Sequence, residues 1–145
     1  MQTNGERLIR LSMTDSKENY LTGFWQWVRY LEKADFQGAL EALYWPRNVS
    51  WTPEALKKRV TTFFGGPAPW AVVVPNERLV KVIDDAAEFQ ARDAQGRRWL
   101  MAQVPVTTEL KDPQRDDIPL MGLATSFFLK EHQGHYVMEF EIFHL

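Results

Sequence analysis

With 145 residues, 45% of them hydrophobic and 25% charged, the chain has the size and composition of one folded domain with its own core. A formal net charge of -2, a pI near 5.9 and no long basic run exclude the electrostatic footprint of a nucleic-acid binder. The absence of cysteine excludes disulfides, thiolate metal sites and cysteine nucleophiles, and it suits a reducing compartment.

Residues 1–14 read as a tail or an edge strand preceding a single α+β domain over residues 15–145. Glu6, Arg7 and Arg10 interrupt Leu8, Ile9 and Leu11, so no apolar signal-peptide core is present there. The longest uncharged stretch, residues 61–76, is broken by Gly65, Gly66, Pro67, Pro69 and Pro75 and is too short to cross a bilayer. The expectation is a cytoplasmic protein that binds neither membrane nor nucleic acid.

Asp15 or Ser16 can cap a first helix, because their side-chain oxygens accept from the free N–H groups of the first turn. Over residues 17–34, Tyr20, Leu21, Phe24, Trp25, Val28 and Leu31 recur at helical spacing, and Trp27 widens the stripe. So wide a stripe predicts a helix covered on more than one side. Asp35 starts a second, shorter helix with Phe36, Ala39, Leu40 and Leu43 on its apolar face, which Pro46 stops. Residues 47–51 read as a loop or short strand. Thr52, Pro53 and Glu54 then cap, pre-set and electrostatically favour a third helix, which Gly65 and Gly66 end.

After Pro69 the period changes. Residues 70–74 and 79–83 read as β-branched strands, and residues 88–92 lead into an Asp93-Ala94-Gln95-Gly96 hairpin turn. The return strand spans residues 98–110, where Pro105 implies a bulge or an edge. A charged loop over 111–117 precedes strands at 123–130 and 135–143, joined around His132, Gln133 and Gly134. In the last strand Tyr136, Met138, Phe140 and Ile142 alternate with Val137, Glu139, Glu141 and Phe143, which predicts one core face and one largely wet face. The expected fold class is α+β, with N-terminal helices packed on a curved, mostly antiparallel C-terminal sheet.

The order of these elements resembles the nuclear transport factor 2-like domains, a family of α+β cones. The step Lys33-Ala34-Asp35-Phe36, the helix over residues 37–44 and the start Thr52-Pro53-Glu54-Ala55-Leu56 fit the helical opening of that family. The ending Val137-Met138-Glu139-Phe140-Glu141-Ile142-Phe143-His144-Leu145 is similar to the last strand of small bacterial proteins of that type. The resemblance covers residues 17–145 as topology. It implies a cone with an open end, in a superfamily that hosts isomerases, dehydratases, cyclases, transport adaptors and immunity proteins. Enzymes of the family place an Asp–His or Tyr–Asp constellation inside the cone, and this sequence offers no residue-by-residue match to one.

The candidate catalytic residues are His144, Asp84 and Glu88. A histidine base needs an orienting carboxylate, and strand parity places Glu139 and Glu141 on the face opposite His144. His132 and His135 read as solvated turn residues, since two imidazoles alone make a poor metal site. Neither a metal nor another cofactor is expected. The candidate binding residues are Tyr44, Trp45, Arg47, Trp51 and Trp99, aromatics and a cation of the kind that anchor interfaces or line pockets. The leading functional expectation is a bacterial non-enzymatic binding domain that docks a protein partner or a small apolar ligand, a toxin-immunity protein being one version. The alternatives are a small acid–base enzyme using His144 with Asp84 or Glu88, and a homodimer formed through the outer sheet face.

Overall fold

The structure, a computed structural model, describes residues 7–46, 51–62, 70–92, 95–107 and 121–144. Helix α1 (Lys17–Glu32) begins where Ser16 Oγ accepts the Asn19 N–H at 3.1 Å. Helix α2 (Phe36–Glu41) begins where Asp35 Oδ1 accepts the Gly38 N–H at 2.9 Å. Helix α3 (Pro53–Thr62) begins where Thr52 Oγ1 accepts the Ala55 N–H at 3.1 Å. All three caps follow the residue types read from the sequence.

Strand β1 (Ala71–Val72) is followed by a fourth helix, α4 (Glu77–Ala86), over the segment that the sequence suggested as a strand. The reason is local. Asn76 Oδ1 accepts the Leu79 N–H at 2.8 Å, Glu77 sits in the first turn, and Leu79 and Ile83 stand one helical turn apart. Dense β-branching made the run look extended, but the cap and the tertiary packing of Ile83 decide otherwise.

The remaining strands are β2 (Glu88–Gln90), β3 (Arg98–Thr107), β4 (Met121–His132) and β5 (His135–Phe143). They form one antiparallel sheet, curled into a half-barrel, in which β4 lies between β3 and β5. The free side of β3 is shared end to end: β2 pairs with its start (Gln90 opposite Trp99) and β1 with its end (Ala71 opposite Thr107). Pro105 explains why β1 is short. Its carbonyl accepts the Val73 N–H at 2.9 Å, and its ring nitrogen, on the same side, has no proton to return. The proposed turn at 93–96 lies partly outside the described residues, although Gly96 holds φ +77. The expected strand end at 108–110 and the charged loop at 111–117 also lie outside them. The β4–β5 turn has φ +51 at Gln133 and +82 at Gly134, the left-handed pair that suits the twist of a tight hairpin.

The helices fill the concave face. Trp27 meets Phe127 with ring centroids 5.1 Å apart, Phe24 meets Phe127 at 6.4 Å, and Tyr20 meets Tyr136 at 6.2 Å. Full burial of a Phe-sized side chain contributes roughly 1.5–3 kcal/mol. The wide stripe of α1 is covered twice, as its breadth implied: the sheet buries Phe24 and Trp27, while Trp25 turns to α4 and donates its indole N–H to Asp84 Oδ1 at 2.7 Å. The free edge of β5 is met by residues from earlier in the chain. Leu11 exchanges backbone hydrogen bonds with Tyr136 (2.9 and 3.0 Å), and the Tyr44 N–H reaches Met138 O at 2.8 Å.

One irregularity divides β5 into two stretches of opposite parity. The β4–β5 register shifts between Ser126 and Phe127, so Glu141 is an extra residue without a cross-strand partner. Beyond this bulge the alternation reverses. Phe143 joins Phe140 on the concave side and is buried, whereas Ile142 turns outward and is 47% exposed. This corrects the strict alternation read from the sequence, and Val137 on the supposed wet face is also buried.

Candidate functional site

Helix α2 is only six residues long, and its terminal carbonyls need partners. Two tryptophans supply them: the Trp27 indole N–H donates to Ala39 O at 3.1 Å and the Trp45 indole N–H to Leu40 O at 2.9 Å. Trp45 is thereby folded back over the end of α2, between Leu40 and the sheet. Trp51, just before α3, packs edge-on against Phe140 (5.1 Å) and Phe143 (5.8 Å). Phe140 also lies 6.4 Å from Trp45 and 6.2 Å from Phe127, which makes it the hub of the cluster.

Between these rings an open depression remains. It is shallow and open to solvent, and is lined by Trp27, Leu40, Leu43, Trp45, Trp51, Leu56 and Phe140. Its wall is apolar because the indole N–H groups of Trp27 and Trp45 are turned away to backbone carbonyls. At one side stands α3, with Lys57, Lys58 and Arg59 on its exposed face and the Arg59 guanidinium 5.9 Å from the Trp51 ring centroid.

The five proposed binding residues therefore part company. Trp45 and Trp51 converge on the depression. Tyr44 points elsewhere, its ring 5.0 Å from that of His132, which is half-buried and so not the fully solvated turn residue expected. Trp99 lies on the other face of the sheet, donating to Glu141 Oε1 at 2.8 Å. Arg47 lies outside the described residues. Among residues the sequence reading passed over, Phe140 completes the depression. The adjacent apolar pair Ile142-Phe143, which breaks an alternating strand, was the available signal of the bulge that orients it.

The three catalytic candidates do not meet as envisaged. Asp84 receives the Trp25 indole, and Glu88 is exposed on β2 opposite Met101. The His144 Nε2 lies instead 2.8 Å from Ser126 Oγ, which also contacts Glu141 Oε1 at 2.7 Å. Glu141 and His144 share a face, contrary to strand parity, because the bulge lies between them.

A second polar cluster fastens the N-terminal segment to the sheet. Asp15 Oδ1 accepts from Tyr20 Oη at 2.7 Å and from Arg98 Nε at 3.0 Å, and the Arg98 guanidinium lies 4.7 Å from the Tyr136 ring centroid. Burial pushes the Asp15 carboxyl up, but hydrogen bonds from Tyr20, Tyr136 and Arg98 outweigh it and hold the group below its ordinary value. Burial, with the adjacent carboxylate, pushes the Tyr20 and Tyr136 phenols up.

Among the described residues no group of three or more His, Asp or Glu is placed to hold a metal ion, and no helix is long and apolar enough to cross a membrane. Comparison of the chain with family models, with curated proteins and with solved structures finds no match.

Proposed function

We propose that this chain is a non-enzymatic binding domain, of the nuclear transport factor 2-like kind, that docks a protein partner by seating one apolar side chain between Trp45, Trp51 and Phe140. The observation that carries this reading is the convergence of the half-buried rings of Trp45, Trp51 and Phe140 on one open, apolar-walled depression. Small-molecule pockets place a few polar groups among apolar walls to fix a ligand's orientation. An apolar wall of tryptophan and phenylalanine rings suits an anchoring side chain of a protein partner better than a whole ligand. The exposed Lys57, Lys58 and Arg59 beside it favour an acidic surround for that anchor. A bacterial immunity protein that caps a toxin would be one instance.

A displayed peptide library panned against the protein tests the proposal. The selected peptides should share one Leu, Phe or Trp anchor flanked by Asp or Glu. Trp51→Ala should weaken them at least tenfold, which corresponds to about 1.4 kcal/mol. Selected peptides that bind Trp51→Ala and Leu56→Ala variants as well as the parent protein would refute it.

A further inference from the structure

Of the three cations beside the depression, only one is built into its rim. Helix α3 buries Leu56 and Val60, and Leu56 lines the depression. At 3.6 residues per turn, Arg59 stands about 60° round the helix from Leu56, whereas Lys57 and Lys58 stand about 100° and about 160° from it. The ring contact agrees, since the Arg59 guanidinium lies 5.9 Å from the ring centroid of Trp51, another lining residue. Ala55, one turn earlier on that flank, is exposed, and its side chain is too short to screen Arg59 from a partner.

This placement decides what each cation can do. The rotamer freedom that a flexible lysine gives up on pairing is of the same order as what an exposed ion pair gains. Lys57 and Lys58 therefore supply a diffuse attraction that speeds encounter with an acidic partner. Arg59 is already restricted by its ring contact, and its planar fork matches a carboxylate with two parallel hydrogen bonds. A carboxylate held there must face the protein from the same side of the partner as the apolar anchor. In an extended segment, adjacent side chains face opposite ways, and those two residues apart, about 7 Å, face the same way. On a helix the side chains three or four residues apart, about 5–6 Å, share a face.

Resting on the docking reading above, we infer that Arg59 is the specificity-determining residue of that site. It reads one Asp or Glu side chain of the partner, set two residues from the apolar anchor in an extended segment or three to four in a helix. Lys57 and Lys58 do not take part in this selection.

The test is a displayed peptide library with Phe fixed at its centre, four random positions on either side and a neutral C-terminal extension. It is panned on the parent protein and on variants. On the parent, Asp or Glu should be enriched two to four residues from the Phe and not at its immediate neighbours. Arg59→Gln should abolish this positional preference, and Arg59→Lys should not restore it. The Lys57→Gln, Lys58→Gln double variant should keep it and only associate more slowly. A recovered peptide should bind the parent about threefold to fivefold tighter than its twin with the acid replaced by the amide, and Arg59→Gln should bind the two alike. A preference that survives Arg59→Gln, that is lost in the double lysine variant, or that falls evenly over all positions would overturn the inference and leave docking standing. Selection by Arg59 only from a second library that ends in Phe would mean that a free C-terminal carboxylate is read, and would overturn it likewise. Recovery no better with Phe than with Ser at the fixed position, or undiminished by Trp51→Ala, would overturn the docking reading itself and this inference with it.

Discussion

Asp15 and Gly38 show how much of the fold rests on single contacts. Asp15 takes hydrogen bonds from the buried Tyr20 and from Arg98, and its carboxyl is held below its ordinary value. A carboxyl whose folded pKa is depressed stabilises the fold above its unfolded value, near about 3.9, and loses that contribution as pH falls through the folded value. Asp15→Asn should therefore lower the urea midpoint at pH 7 and flatten its fall below about pH 4. Equal midpoints for the two proteins from pH 7 to pH 2 would contradict this. Gly38 is the second case. A Cβ there would stand 2.5 Å from Asp35 Oδ2 and 2.6 Å from Tyr30 Cδ1, and Asp35 is held as the cap of α2. Gly38→Ala should destabilise the protein by about 1 kcal/mol although alanine is the better helix former. Thermal unfolding measures it, and a raised midpoint would show that Asp35 can yield without loss of the cap.

The elements were legible in proportion to their local chemistry. The first three helices announce themselves through Ser16, Asp35 and Thr52, each a capping side chain followed by helical periodicity. Helix α4 did not, because Val80, Val82 and Ile83 carry strand-like composition and the Asn76 cap was outweighed by it. The β5 bulge is marked in the sequence only by the adjacent Ile142-Phe143 pair, because register depends on the partner strand, and Ser126 gives no sign that it faces Glu141 and His144 together. For the same cause Trp45 and Trp51 could be named as binding residues from their neighbourhood in the chain, whereas Phe140, their common contact, could not. Deleting Glu141 tests the bulge. Removing the one extra residue leaves Phe140 opposite Phe127 and Ile142 opposite Ser126 in an unbroken ladder, so Phe143 stays inward and Ile142 outward. The expected change in stability is small, within about 1 kcal/mol, because no core side chain is lost. A fall of the denaturant midpoint as large as that of Phe143→Ala would mean that the inward facing of Phe143 depends on the bulge.

At the scale of the whole molecule, a curled sheet closes over aromatic helices and leaves two faces with different chemistry. The concave side carries the buried core and, where α2, α3 and β5 meet, the apolar depression. The convex side carries the Trp99–Glu141–Ser126–His144 network. The bulge links the two, since it sends Phe140 and Phe143 to one side and Glu141 and His144 to the other. The docking proposal belongs to the first face, and the chain's 6 tryptophans report on it directly because they are divided between the faces. The decisive measurement is an indole ¹H–¹⁵N spectrum of the protein during titration with a peptide selected by display. Docking in the depression predicts that the Trp45 and Trp51 indole signals move together while that of Trp99 stays in place. Movement of Trp99 with Trp45 and Trp51 unmoved would contradict it.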